Sequence, residues 1–430
     1  MKLFQYPRDR AQIESLLLRR TGAEPDTETR VRAIIEQVRR NGDKAVASLT
    51  KKLDGVDLTP SRFRVSPARL KKAWQDLPPE LRSALKIARD RIVAYHKQQR
   101  LSGFTYHDDL GNRMDQRVRP LRRVAVYVPG WRAAYPSTVL MNIVPARLAG
   151  VDEVVVLTPP ALLGAQGGQA ALAAAWLAGV DEVIAVGGTP GIAALALGTE
   201  SIERVDKIVG PGNRYIAMAK RLLYGEIDID MIAGPSEILV LADRSASPRL
   251  VAADLLSQAE HDPDAQAVAI LIGQYDVDAL QKEISARMAL TARRDIIRQS
   301  LWANGALIRV RTVADAVKLA ERKAPEHLEI LTRRPRVIAD RIRNAGAIFI
   351  GPHTPEPMGD YAAGPNHVLP TGGTARFFSP LSVWSFLKTS HVIECSKNGF
   401  EALADTVETL ARAEGLQAHA EAVSCRRKRS

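Results

Sequence analysis

The sequence predicts an α/β fold: two parallel-sheet units, a helical N-terminal segment before them and a small helical C-terminal part after them. Three observations carry that expectation. From residue 122 onward, short β-branched runs alternate with Ala/Leu-rich stretches at helical spacing. The runs are apolar throughout rather than alternating, as in parallel strands covered on both faces. They also fall into two successive sets, splitting near Gly234.

Residues 1–120 read as mostly helical. "RDRAQIESLLLRR", "TRVRAIIEQVRRNGDKAVASLTKKLDG" and "PELRSALKIARDRIVAYHKQQR" carry apolar residues three and four apart, and Gly42 and Gly55 suit helix stops. The first strand set is "RRVAVYVPG", "DEVVVLTPP", "DEVIAVGG" and "DKIVGPGN". The second is "EILVLAD", "AVAILIG", "GALIRVR" and "GAIFIGP". Ligands of such sheets sit at strand ends, so the Gly/Pro turns there are the places to look for chemistry. After residue 351, "GPHTPEPMGDYAAGPNHVLPTGGTARFFSP" has little secondary-structure signal, and its His, Asp and aromatic content favours a functional loop over disorder. Residues 381–430 read as a small helical tail with the basic tip "RRKRS".

Composition narrows the function classes. Apolar residues make up 46% and charged residues 25%, an ordinary globular balance. No apolar run is long enough to span a membrane, and "MKLFQYPRDR" lacks the apolar core of a signal peptide, so a cytoplasmic protein is expected. Cys395 and Cys425 are too few for a disulfide framework and lack metal-type spacing; Cys395, in "HVIEC", is expected to be a packed thiol. The net charge of +12 is spread along the chain with no nucleic-acid motif, which suits a solvated surface that attracts small anions and excludes nucleic acid as the expected partner.

Four segments and a glycine turn offer chemistry. In "RLVAADLLSQAEHDPD", Leu250, Val251, Leu255, Leu256 and Ala259 fit one helix face, with Pro263 beyond its end. Gln258 and His261 then share one side of the last turn, where an imidazole and an amide oxygen can hold a metal. A helix end capped by histidine explains this segment alone more simply. In "KAPEHLEI", Pro325 suits the first turn of a short helix, with Glu326 in that turn and His327 diverging from it. Such a pair can serve one reaction centre, one group activating water and the other taking a hydroxyl proton; a capped surface helix is the plainer alternative. The long loop adds Asp360 and His367, and the tail adds Glu414 and His419, five apart on what reads as a solvated helix. In "DKIVGPGNRYIAMAK" a strand runs through Gly-Pro-Gly-Asn into a helix whose N-terminus can receive a phosphate. Tyr215 stands where a dinucleotide fingerprint has its third glycine, and "AVGGTPGIAALALG" lacks the spacing too, so any dinucleotide is bound by another arrangement.

Taken together, "RVAVYVPG…AAYPSTVLMN", "GPGNRYIAMAKRLLYGEIDIDMIAGPSEILVLAD", "LLSQAEHD", "APEHLEI" and "GDYAAGPNHVLPTGGTARF" resemble histidinol dehydrogenase, in family order from about residue 10 to residue 420. The resemblance implies two Rossmann-like sheet units in an intertwined homodimer, with residues 1–23 as a helical arm and 24–121 plus 235–380 as the zinc and catalytic domain. Residues 122–234 would form the NAD-side domain, and 381–430 the tail reaching the partner subunit. It implies NAD-linked oxidation of L-histidinol to L-histidine through an aldehyde, the last step of histidine biosynthesis, with one zinc per subunit. The matching zinc ligands are Gln258, His261, Asp360 and His419, the last reaching in from the partner. Substrate contacts carry over to Ser236, Gln258, His261, His327, Asp360, Glu414 and His419, and NAD contacts to Tyr127 and Asn213. His327 would take the alcohol proton and Glu326 would activate the water that hydrates the aldehyde; Glu260 is incidental.

The chain departs from the family pattern at three places. Trp131 replaces the last glycine of Tyr-Val-Pro-Gly-Gly, and Pro190 stands where a glutamine usually touches NAD. Trp384 and Ser385 replace more usual acidic residues, a change assigned to packing or the dimer surface. The first two fall on the cofactor side and leave the zinc, substrate and acid–base set intact. Two rival readings compete: a sister zinc and NAD dehydrogenase of another polar alcohol such as a sulfonated diol, and a non-catalytic basic binding protein.

Overall fold

The computed structural model describes residues 1–18, 25–130, 135–165 and 167–427. Trp131 and the last three residues of the basic tip lie outside the described residues, as do residues 19–24. The chain divides into two compact units, residues 1–99 with 121–385 and residues 100–120 with 386–430.

Along the chain the strands begin with β1 (Lys2–Gln5), β2 (Phe104–His107) and β3 (Arg113–Pro120). Next come β4 (Arg123–Tyr127), β5 (Glu153–Thr158), β6 (Glu182–Ala185), β7 (Lys207–Val209) and β8 (Asp228–Ile229). A third group follows, β9 (Glu237–Asp243), β10 (Gln266–Ile272), β11 (Ala306–Val310), β12 (His327–Leu331) and β13 (Ala347–Ile350), and β14 (Leu387–Glu394) is last.

The larger unit holds two parallel sheets, ordered β6-β5-β4-β7-β8 and β1-β11-β10-β9-β12-β13. With β1 set aside as an added edge strand of the second, each is wound alike: the first strand lies centrally, the next two go to one side, and the fourth and fifth to the other. That order creates a switch point, between β4 and β7 in one sheet and between β9 and β12 in the other. The apolar runs behave as their composition requires. All seven residues of β10 are buried, and helices such as Pro248–Ala259 cover the sheet with Val251, Leu255 and Ala259. Leu250, on the expected face, is 37% exposed.

Several local expectations are corrected. The short helix expected at "KAPEHLEI" is β12, paired with β9 on one side and β13 on the other. The helix Val313–Lys323 ends before it because Ala324 turns left-handed (φ 49°) and Pro325 cannot continue a helix. The N-terminal 120 residues include β1, β2 and β3; β1 adds a parallel edge to the second sheet. The loop after β13 contains the helix Glu356–Tyr361. The two sheets also recruit β8, β12 and β1 beyond the eight apolar runs, and these are short or carry polar residues.

The smaller unit is not simply a helical tail. β14 pairs antiparallel with β3 from Leu387↔Pro120 to Glu394↔Arg113, and β2 pairs with the other side of β3. The helices Lys397–Ala413 and Gln417–Ser424 complete it. Cys395, expected to be packed, is exposed at the end of β14. At the end of the larger unit, Trp384 is 54% exposed, while Ser385 Oγ accepts the Ser382 N–H at 3.1 Å.

Candidate active site

Glu326 and His327 leave the bend at Ala324 at the edge where the second sheet's strands begin, His327 opposite Ile238 of β9 and Ala347 of β13. Both are buried, at 7% and 4% exposure. The Glu237 N–H donates to Glu326 Oε2 at 2.8 Å. The Glu237 carbonyl lies 3.1 Å from His327 Nδ1, and since a carbonyl can only accept, that nitrogen carries the hydrogen. The neutral ring therefore keeps its lone pair on Nε2, which has no hydrogen-bond partner. Burial holds the imidazole neutral, lowering its pKa to about 4 against the pull of Asp360. Burial likewise pushes the Glu326 carboxyl well above the ordinary range, the Glu237 N–H that it accepts pulls it back, and the Glu237 carboxylate pushes it up again.

The helix Pro248–Ala259 follows β9 and runs back along the sheet, so its end returns to this same edge. Gln258 closes it and His261 lies just beyond, its N–H bonded to the Gln258 carbonyl at 3.3 Å. The Gln258 side chain is fully buried, yet neither its amide oxygen nor its nitrogen has a partner among the described residues. A buried amide left empty-handed costs on the order of 1–3 kcal/mol and calls for a ligand. Burial lowers the His261 pKa while the Asp360 charge raises it, which places those two within each other's field. Glu260 has no resolved bond to either.

The loop after β13 brings the remaining groups. Glu356 and Asp360 lie four apart on the helix Glu356–Tyr361, hence on one face. Glu356 Oε1 is 3.8 Å from His327 Nε2, and His327, Glu356 and Asp360 offer ligand atoms all within 4.8 Å of one another. His367 Nδ1 is 3.5 Å from Asp360 Oδ1, and its Nε2 is 3.3 Å from Thr138 Oγ1. Asn366 anchors the loop by donating to the Met141 carbonyl at 2.6 Å. Burial and the Asp360 charge raise Glu356 to about 9. Burial works to raise Asp360 as well, but His367 and His327 outweigh it and keep that carboxylate ionised. One proton thus rests on Glu356 and the negative charge on Asp360. Ser236, half-buried, directly precedes β9.

Sequence reading passed over Glu356, although a carboxylate one helical turn before Asp360 is a legible signal once that helix is known. It also passed over Glu329, a fully buried carboxyl in β12 whose Oε1 accepts the Glu356 N–H at 2.7 Å. Glu329 reads as one more residue of an apolar run.

Tyr127 and Asn213 lie elsewhere, at the switch point of the first sheet, where β4 and β7 end. They are built side by side. Gly210 (φ 107°) opens the Gly-Pro-Gly-Asn turn so close to β4 that a Cβ would sit 2.4 Å from the Tyr127 carbonyl oxygen. Asn213 caps the helix Arg214–Leu223, its Oδ1 accepting the Tyr215 and Ile216 N–H groups at 3.0 and 3.2 Å. Tyr127 is buried, with burial and then the nearby Asp54 holding its hydroxyl protonated. Pro190 lies in the first turn of the helix Gly188–Leu197, where a missing N–H costs no helical bond.

Glu414 and His419 belong to the smaller unit and do not share a helix: Glu414 ends Lys397–Ala413, and His419 lies in Gln417–Ser424. Both are exposed.

A sheet edge carrying a base with a free lone pair, an ionised carboxylate and an orphaned amide suits metal-assisted proton abstraction, and comparison with known proteins names the chemistry. The histidinol dehydrogenase family model matches residues 17–427. A histidinol dehydrogenase of Moorella thermoacetica is 50% identical over 397 residues, covering 92% of this chain and 93% of its own. One from Aquifex aeolicus is 46% identical over 416 residues, covering 97% and 96%. The crystal structure of histidinol dehydrogenase from Elizabethkingia anophelis matches with a TM-score of 0.90 at 34% identity, over 99% of this chain and 98% of that one. Family members use NAD and zinc, and among the described residues no helix is long and apolar enough to cross a membrane. On the family match and these relatives, this chain belongs to the histidinol dehydrogenase family.

Proposed function

We propose that the chain oxidises L-histidinol to L-histidine through L-histidinaldehyde, with two NAD consumed per turnover, as the last step of histidine biosynthesis in the cytoplasm. The observation that carries this reading, beyond family membership, is the Gln258 amide, buried and unpartnered one turn from His261. In this reading Gln258, His261 and Asp360 hold zinc, and His419 of the partner subunit completes the set in a homodimer. Bound zinc supplies a Lewis acid for the reacting oxygen. The tighter group of His327, Glu356 and Asp360 is the weaker candidate. It would use up the Nε2 lone pair that the base needs and leave Gln258 unpartnered.

His327 Nε2 takes the hydroxyl proton of the alcohol, and the nicotinamide of bound NAD would accept the hydride, giving the aldehyde. Glu326 then takes a proton from the water that adds to that aldehyde. His327, having returned its first proton to solvent, takes the remaining hydroxyl proton of the hydrate, and the carboxylate remains; a second bound NAD would supply the hydride acceptor. Ser236, Gln258, His261, His327 and Asp360, with Glu414 of the partner subunit and His419 of the partner subunit, contact the substrate, and the burial of the pair keeps bulk water from the reactive aldehyde. Tyr127 and the amide nitrogen of Asn213 contact NAD, so that the sheet of β4 to β8 is the cofactor domain and the sheet around β9 to β13 the zinc domain.

The test is NADH formed per L-histidinol supplied in limiting amount. Two equivalents, abolished by chelation and restored by zinc, are expected. One equivalent would remove the second oxidation from the reading, and none would remove the substrate.

A further inference from the structure

Glu237, the first residue of β9, has no part in the chemistry above, yet Lys323, Glu326, His327 and Gly372 all bond to it. Its peptide unit holds both working side chains, the N–H donating to Glu326 Oε2 and the carbonyl accepting from His327 Nδ1. Its carboxylate reaches back: Oε1 accepts the Glu326 N–H at 3.3 Å and the Gly372 N–H at 3.2 Å, while Oε2 is bonded to the Lys323 ammonium. Lys323 and Glu237 are both buried, with side chains 2% and 6% exposed. Glu237 and Glu326 thus grip each other reciprocally, peptide to carboxylate in both directions.

The segment they grip is strained. Ala324, between Lys323 and Glu326, is the one non-glycine residue with positive φ among the described residues, and Pro325 follows it. An L-residue holds that conformation only where its surroundings over-determine it. Here the helix end fixes one side, through the Ala324 N–H to the Ala320 carbonyl at 2.8 Å, and Glu237 fixes the other. The loop "LPTGGTARF" joins in twice, through Gly372 and through Thr371 Oγ1, which accepts the Gly234 N–H at 2.6 Å just before β9.

We propose that Glu237, locked in place by Lys323, is a positioning residue that aims Glu326, so that this buried ion pair governs the aldehyde-oxidising half of the reaction rather than substrate binding. The proposal rests on the roles given above to Glu326 and His327. Stability alone does not account for the pair, because well-packed apolar residues of similar size commonly replace a buried ion pair without loss. Apolar residues cannot accept the Glu326 and Gly372 N–H groups, and those bonds fix the bend.

The experiment compares two double variants, Glu237→Leu with Lys323→Met and Glu237→Gln with Lys323→Met. The first removes charge and acceptor; the second removes charge but keeps an oxygen for the two N–H groups. For the Leu/Met pair, zinc content and the KM for L-histidinol should stay within about twofold of wild type, while kcat on L-histidinaldehyde falls roughly tenfold to a hundredfold. The Gln/Met pair should recover most of that loss. An unchanged aldehyde step, no recovery in Gln/Met, or both half-reactions falling in parallel with the folded fraction would each overturn the proposal. Should Leu/Met not fold, Glu237→Asp carries the test, since it keeps the charge but withdraws the carboxylate from the Glu326 and Gly372 N–H groups: a severalfold drop in aldehyde kcat at constant KM supports the proposal, and no drop overturns it. Glu326→Gln, assayed alongside, separates the two claims. If it spares the aldehyde step, the role of Glu326 falls, and a crystal structure of the foldable variant then decides the positioning claim: a displaced Glu326 carboxylate supports it, and an unmoved one overturns it.

Discussion

The two parallel sheets of the larger unit share one winding order and use it in opposite ways. In the sheet of β4 to β8 the candidate ligand groups, Tyr127 and Asn213, sit where strands end, in glycine turns at the switch point. In the sheet of β9 to β13 the candidate groups gather where strands begin: Ser236 before β9, Glu326 and His327 entering β12, and Gln258 on a helix that has run back from the far side. The chemistry differs accordingly. Strand ends followed by helix N-termini offer free N–H groups suited to phosphate. Strand beginnings met by returning helix ends offer side chains, and here they are buried, titratable and partly unpartnered. Strand order alone therefore locates a crevice without saying which end of it works.

The comparison breaks most easily at the second sheet. Glu326→Gln keeps an oxygen for the Glu237 N–H but loses the proton acceptor. It is expected to lower the aldehyde-to-acid rate roughly a hundredfold to ten-thousandfold. The alcohol step should fall much less; rapid-mixing NADH traces from each substrate measure the split, and equal loss in both would refute the division of labour. His261→Asn is next. It should leave the protein folded but without zinc after dialysis, read by elemental analysis, and metal retained at wild-type affinity would remove His261 from the ligand set.

How far all this was legible follows the same division. Two parallel sheets, though not their strand order, could be read from near-continuous apolar runs, because a strand buried on both faces leaves that mark on sequence. β12 could not. Its residues His327 and Glu329 interrupt the run, and their burial is bought by Glu237, Asp254 and Glu356, groups distant in sequence. Pro325 before a Glu looks like a helix start, and only the left-handed Ala324 shows that it ends one. Gln258 and His261 were legible as a pair by spacing, and Asp360 by its glycine-rich setting, but the family resemblance, not the spacing, joined them. Glu356 stayed hidden because its helix is six residues long inside a loop. Glu414 and His419 were placed five apart on one helix, while the turn at Gly415 (φ 75°) divides them between two.

Changes at the first sheet should be smaller and of another kind, leaving zinc content untouched. Gly210→Ala adds a Cβ that meets the Tyr127 backbone in a conformation with φ of 107°. It is expected to cost about 1–3 kcal/mol of stability and to raise the KM for NAD, with zinc stoichiometry unchanged. A zinc loss in step with the NAD defect would mean that the two sheets are not separable in function.

Asn213→Ala is the mildest and the most discriminating. Losing the cap of the helix Arg214–Leu223 should cost about 1 kcal/mol, seen as a drop in Tm of a few degrees. If Asn213 only caps, Asn213→Ser should restore both the Tm and the KM for NAD, since a serine hydroxyl accepts the same N–H groups. If its amide nitrogen also meets the cofactor, serine should restore the Tm and leave NAD binding weak. Titration calorimetry with NAD separates these outcomes without any turnover. A defect confined to NAD would set this turn apart from the beginning of the second sheet, where the proposed reading gives the Gln258 amide to metal and substrate.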